Sequence, residues 1–187
     1  MSTATRITTA DELLHMPDDG YRYELVDGEL RKMTPAGGEH GFLSNEIGWL
    51  LTEHVRRNDL GQVLSAETGF RIGRNPDTVL APDTSFIRKE RIAVIGIPKE
   101  YFPEAPALVV EVVSPGDTAE EVDDKMRRWF AAGVEIGWVI YPRGRTVTVY
   151  RALDDICILT ANDMLDGESV VPGFRCRVGD LFSALDA

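Results

Sequence analysis

The residue that first asks for an explanation is Glu111, set inside the apolar run Leu-Val-Val-Glu-Val-Val from Leu108 to Val113. A carboxylate in a low-dielectric interior either takes up a proton or finds a partner. Three other residues are candidates to stand near it. Asp83 follows Pro82 in a second apolar run, "VLAPDTSFI", where an aspartate is unusual for a strand. Glu24 sits between Tyr23 and Leu25 in an alternating segment. Lys125 lies on the segment that follows the Glu111 run. Acids from neighbouring strands plus a lysine are what metal-assisted phosphodiester hydrolysis needs. Carboxylates bind Mg²⁺ or Mn²⁺ as hard oxygen ligands. The metal polarises phosphate and lowers the pKa of a bound water. A lysine orients that water or offsets the negative charge gathering in the transition state.

Each of the four has a plainer reading. Glu111 can be a structural carboxylate bonded to an arginine or to backbone amides. Asp83 can be a strand-end or turn aspartate, Glu24 a residue on a solvent face, and Lys125 a side chain that snorkels to water.

The elements that must position these residues are legible from pattern. Thr9 with Glu12 three residues on predicts the start of a short helix. Asp27-Gly28 between two alternating runs predicts a hairpin. Leu43, Ile47, Leu50, Leu51 and Val55 recur at helical spacing, which predicts a long amphipathic helix over about 39–57. "QVLSAETGFRI" reads as a strand bent near Gly69, "NPDT" as a turn, and "VLAPDTSFI" as a strand holding Asp83. Residues 88–106, rich in charge and proline, read as a loop. With apolar residues on both its faces, the Glu111 strand belongs at the centre of a sheet covered on both sides. A helix from about Asp117 or Thr118 to Ala132 follows, with Gly133 as a natural stop. Its apolar stripe is Val122, Met126, Trp129 and Phe130, and Lys125 borders that stripe about 60° from Val122 and about 40° from Trp129. "EIGWVIYP" and "RTVTVYRA" form a further hairpin, followed by short strands and a closing helix over "GDLFSAL". The order predicts an α/β fold with a mixed central sheet flanked by helices, an N-terminal hairpin and extra C-terminal strands.

Composition bounds the function. The 187 residues, 43% hydrophobic, suit a single domain over residues 1–187 with a real core. A net charge of −11 is the opposite of the basic footprint of most nucleic-acid binders. Arg71, Arg74, Arg88, Lys89 and Arg91 are the candidates for a local basic rim beside Asp83. Two cysteines, Cys157 and Cys176, are too few for a disulfide framework and read as small core residues. His15, His40 and His54 are scattered and make no zinc site; His54 continues the apolar stripe of its helix. There is no glycine-rich phosphate loop and no Ser-His-Asp or Cys-His arrangement. Met1–Leu14 has no basic start and apolar run of a secretory leader, and no stretch approaches a membrane span, so a cytoplasmic location is expected.

The ordered segments "YELVDGEL", "GGEHGFLSNEI", "APDTSFIRKERI", "ALVVEVVSPGDTAEEVDDK", "AAGVEIGWVIYP", "RTVTVYRA" and "VPGF" resemble the Uma-two family of restriction-endonuclease-like proteins, from about Tyr21 to the C-terminus. Pro82-Asp83 and Glu111 are similar to the PD-(D/E)XK signature of that superfamily. The lysine usually found two residues after the acid is replaced here by Val113, and Lys125 on the following helix would be its relocated counterpart. The resemblance implies a nuclease acting on DNA with Mg²⁺ or Mn²⁺. Asp83, Glu111 and Glu24 would be metal ligands and Lys125 the catalytic lysine. His40 matches a recurring family position; a capping or surface role is its alternative. Tyr141 stands where the family often has aspartate. Glu67 is a weaker candidate, equally a solvent-face strand residue. A homodimer goes with enzymes that cut both strands. The alternative function is a non-catalytic nucleic-acid-binding or assembly module on the same fold.

Overall fold

The structure, a computed structural model, describes residues 8–186. The reading of a missing leader rests in part on Met1–Ile7, which lie outside the described residues. Helix α1 (Ala10–Leu14) starts at the predicted capping box: Thr9 Oγ1 accepts from Glu12 N, and Glu12 Oε2 accepts from Thr9 N. The Asp27-Gly28 turn joins β1 (Arg22–Val26) to β2 (Glu29–Met33), with both turn residues at positive φ as such a turn demands. The amphipathic helix is α2 (Gly38–Arg57), which buries Leu43, Ile47, Leu51 and Val55.

Two strand predictions need correction. "QVLSAETGFRI" is not one bent strand: β3 (Gly61–Ser65) and β4 (Phe70–Gly73) lie in different sheets. "VLAPDTSFI" likewise splits into β5 (Thr78–Leu80) and β6 (Thr84–Arg88). Pro82 has no N–H to give a ladder, so the chain changes sheets there and Asp83 falls in the passage between them. The predicted loop over 88–106 contains a helix, α3 (Lys89–Ile95). Its periodicity is weak because none of its residues is buried.

The Glu111 strand is β7 (Leu108–Val112), buried throughout. It is followed by α4 (Ala119–Ala131), β8 (Ile136–Tyr141), β9 (Thr146–Ala152), β10 (Asp155–Leu159), β11 (Met164–Asp166), β12 (Arg175–Arg177) and α5 (Val178–Ser183). Thr118 caps α4 in a second capping box with Glu121. After it, Gly133 adopts φ 99° while Val134 N bonds back to Trp129 O, a glycine stop of the predicted kind.

The central sheet has the order β10-β9-β8-β7-β6-β3. Only β7 and β8 run parallel, with α4 as their crossover; the other neighbours are antiparallel. A second, antiparallel sheet has the order β2-β1-β5-β4, and β11 pairs with β12. One face of β7 (Leu108, Val110, Val112) packs with Trp138, Ile140, the buried stripe of α2 and Phe182 of α5. The other face (Val109, with Val139 of β8) packs against Met126 and Trp129 of α4 and Val26, Phe70 and Leu80 of the second sheet. Each such large apolar side chain contributes about 1.5–3 kcal/mol on burial. The strand is thus held by its apolar residues, and Glu111 is carried into the interior with them.

Candidate active site

The register of β6 and β7 brings the first two acids together. Thr84 pairs with Val110, so one further step sets Asp83 opposite Glu111. Residues opposite each other in an antiparallel pair project to the same face. Asp83 Oδ2 accepts a hydrogen bond from Val112 N at 2.7 Å, supplying an acceptor to β7 just beyond the last ladder pair. The aspartate is therefore a strand-end residue, as its plainer reading has it, and also a neighbour of Glu111.

Glu111 is 9% exposed. Its Oε1 accepts from Trp129 Nε1 at 2.9 Å and its Oε2 from Lys125 Nζ at 3.0 Å. Trp129 reads in the sequence only as part of an apolar stripe. The missed signal is that a buried indole N–H seeks an acceptor, and the one within its reach is the Glu111 carboxylate. Lys125 does not snorkel away: Nζ also stands 3.2 Å from Glu24 Oε1. Glu24 is 8% exposed, which overturns the solvent-face alternative, and its Oε1 accepts from Ala81 N at 3.0 Å. The second sheet packs over the Glu111 face, so a residue of its first hairpin arm is turned inward.

His40, near the start of α2, completes the group: its Nε2 stands 3.2 Å from Asp83 Oδ2, while Ser44 Oγ lies 3.3 Å from its Nδ1. Glu67 is not part of it. That residue sits in an exposed turn at φ 79° and pairs with Arg22, so it is not a strand residue either. Tyr141 does not line the cleft described below.

The electrostatics follow from burial and crowding. Burial pushes the Glu111 carboxyl up to about 7, with Asp83 and Glu24 adding to the rise and Lys125 and the Trp129 hydrogen bond opposing it. Burial works against the Lys125 charge, yet Glu111, Glu24 and Asp83 outweigh it and hold the ammonium above its usual range. The hydrogen bond with Asp83 raises His40 against the effect of burial. Three carboxyl groups thus face one ammonium and one imidazole at the base of a cleft of about 1380 Å³.

Among the described residues, no three His, Cys, Asp or Glu side chains gather into a metal cage. The donor set fits a different kind of site. Mg²⁺ keeps several waters and is typically held by one or two carboxylates together with substrate phosphates. Asp83 Oδ1 and Glu24 Oε2 accept no hydrogen bond among the described residues, and so remain as oxygen donors beside the crowded Glu111.

The basic rim expected beside Asp83 is not formed: four of its five candidates are paired with acids, and Arg74, exposed just after β4, does not line the cleft. Arg88, Lys89 and Arg91 lie at or beyond the far end of β6 and pair with Glu135, Asp59 and Glu104. Arg71 is bound by the buried Asp77, whose Oδ2 also accepts from Ala10 N. Cys176 is partly buried against the core, where burial raises its thiol pKa to about 12, but Cys157 is half-buried on the outermost strand rather than in the core. His54 packs as expected, edge-on to Phe174 with Nε2 2.9 Å from Pro172 O. No described helix is long and apolar enough to cross a membrane.

Comparison with known proteins bears on the fold and the family. No curated protein matches the chain. Among solved structures, one titled as a putative nuclease belonging to DUF820, from Anabaena variabilis ATCC 29413, superposes with a TM-score of 0.81 at 23% identity, covering 95% of this chain and 98% of the other. At that identity the likeness establishes the fold. A family model described as "Putative restriction endonuclease" matches residues 10–179, a span that contains Glu24, Asp83, Glu111 and Lys125. The chain belongs to that family, Uma2, the one its ordered motifs resemble.

Proposed function

We propose that the protein is a divalent-metal-dependent nuclease that hydrolyses phosphodiester bonds in DNA, its residues forming one restriction-endonuclease-like domain. The observation that carries this reading is the convergence of Asp83 and Glu111 from adjacent strands, with Lys125 Nζ 3.0 Å from Glu111 at the base of an open cleft. Asp83 and Glu111, with Glu24 beside them, would hold Mg²⁺ or Mn²⁺. The cation would supply a polarised phosphate and a water of lowered pKa. Lys125, kept charged by three acids, would orient the attacking water and stabilise the charge that develops on the phosphate. Trp129 and Ala81 N hold the Glu111 and Glu24 carboxylates in place, so little reorganisation is needed when substrate arrives. His40 and Val112 N do the same for Asp83.

The competing reading is a non-catalytic binding or assembly module. What favours it is the pairing of Arg71, Arg88, Lys89 and Arg91 with acids, which leaves little cationic surface for a duplex. The deciding experiment is cleavage of plasmid DNA and of its denatured strands with Mg²⁺ or Mn²⁺, with EDTA, and for Asp83→Ala and Glu111→Ala. Metal-dependent cleavage that falls at least about a hundred-fold in both variants, while their circular dichroism stays native, is the expected result. Wild-type rates in the variants would overturn the site. Binding with no cleavage under any metal would favour the module.

A further inference from the structure

The cleft carries aromatic surface that the metal chemistry does not use. Trp49, on the outer part of α2, is 56% exposed, and Tyr21, just before β1, is 52% exposed; both line the cleft that holds the acids. Met33, beside Tyr21 at the open end of the β1–β2 hairpin, lines it too. The other two tryptophans, Trp129 and Trp138, are fully buried, so exposure is peculiar to the one at the cleft. Tyr21 stands three residues before Glu24, just outside β1, about 10 Å away if the chain is extended at roughly 3.3 Å per residue. Lys32 Nζ stands 2.9 Å from the centroid of its ring.

The cations of the cleft are otherwise engaged. Arg22 pairs with Glu67, Arg31 with Asp124, Arg128 with Asp27 and Asp124, and Lys125 with Glu111 and Glu24. Lys32 is the one cleft-lining lysine or arginine with no carboxylate ion pair among the described residues. Duplex binding rests mainly on neutralising many phosphates with free Lys and Arg, and this wall offers few. Aromatic side chains recognise nucleic acid through the faces of bases, which every base has. In a duplex those faces are covered by neighbouring pairs. Only an unpaired base presents one.

We propose that the substrate of this site is unpaired, single-stranded DNA, with Trp49 and Tyr21 stacking on bases on either side of the scissile phosphate and Lys32 contacting the backbone. The inference rests on the nuclease reading for the chemistry but makes its own claim about binding. A single strand needs one cut, so one copy of the chain suffices.

The test is fluorescence-anisotropy binding in EDTA of a labelled deoxyoligonucleotide, the same oligonucleotide as a duplex, and its ribo counterpart. It is run with the wild type, Trp49→Ala, Tyr21→Ala and the remote control Val94→Ala. The expected result is tighter binding of the deoxy single strand than of the duplex. Trp49→Ala and Tyr21→Ala should each weaken it roughly five- to a hundred-fold, and Val94→Ala should not. With about one or two phosphates neutralised, the slope of log K against log salt should be shallow, near −1. Quenching of the solvent-accessible tryptophan emission on binding should vanish in Trp49→Ala, since the other two tryptophans are buried. Duplex binding as tight as single-strand binding, or single-strand affinity unmoved in both aromatic variants, would overturn the proposal. So would a Trp49→Ala change confined to oligomeric state, which would make this surface a contact between copies. A tighter ribo complex would replace DNA by RNA. Single-strand binding through Trp49 without cleavage in Mg²⁺ or Mn²⁺ would remove the nuclease reading and leave the binding claim standing.

Discussion

Glu111 concentrates the energetics of the site. Its carboxyl titrates near 7 in the folded protein and near its ordinary value in the unfolded chain, because burial and two acidic neighbours outweigh Lys125. The folded state therefore binds the extra proton between about pH 4.5 and 7, and the stability that proton brings is lost as pH rises through 7. In metal-free protein, wild-type stability should decline across that window by an amount on the order of 3 kcal/mol, and Glu111→Gln should flatten the decline. Urea unfolding at pH 5 and pH 8 measures it; parallel slopes for the two proteins would refute the assignment. Lys125 is the complementary case. Removing it as Lys125→Met leaves Glu24 and Glu111 buried without their cation, at a cost of about 3–5 kcal/mol. The loss should be larger at pH 8 than at pH 5, where Glu111 carries its proton. An equal loss at both would mean that the ammonium acts only through packing.

At the scale of elements, the site depends on where strands end. Pro82 stops the ladder, β6 begins at Thr84, and Asp83 is left to bond β7 through its side chain. β6 must in turn be pinned by β3, and Gly61 is where that pairing is tightest. It adopts φ 151°, and a Cβ there would come 2.0 Å from Ile87 O, a backbone atom that cannot swing away. Gly61→Ala should cost more than about 2 kcal/mol, near the upper part of what single substitutions do. It should also lower activity by displacing β6 and Asp83 with it. Thermal melts and the cleavage assay check both, and a variant with wild-type stability would show that the strand end adapts.

For the whole molecule, an acidic chain that houses an acidic site should respond to cations as a unit. A ligand that binds only the folded state stabilises it by about 2.7 kcal/mol at a hundred times its dissociation constant. Millimolar Mn²⁺ should raise the wild-type melting temperature and leave Asp83→Ala unmoved. A shift of the same size in both would place the cation elsewhere on the surface. The net charge of −11 also means that any nucleic acid must be held against a general repulsion, which is consistent with contacts that lean on aromatic faces.

What the sequence determined by itself was local. The capping box at Thr9, the Asp27-Gly28 turn, the stripe of α2, the start of α4 near Thr118 and the buried run around Glu111 are set by neighbours within a few residues, and each stands in the structure as its pattern predicts. The family motifs likewise singled out Glu24, Asp83, Glu111 and Lys125, but their order along the chain carries no distances. The tertiary structure decided which sheet each half of "VLAPDTSFI" joins: Pro82 marks the break in the ladder, but either half can pair equally well until neighbouring strands are in place. It decided that Glu24 is buried, because which face of its alternating strand is covered depends on how the second sheet packs over β7. It also made Trp129 a hydrogen-bond donor to Glu111 and paired Arg88 with Glu135 and Lys89 with Asp59, acids far along the chain. Burial, register and charge pairing over long separations are properties of the assembled layers, and no short stretch of sequence contains them.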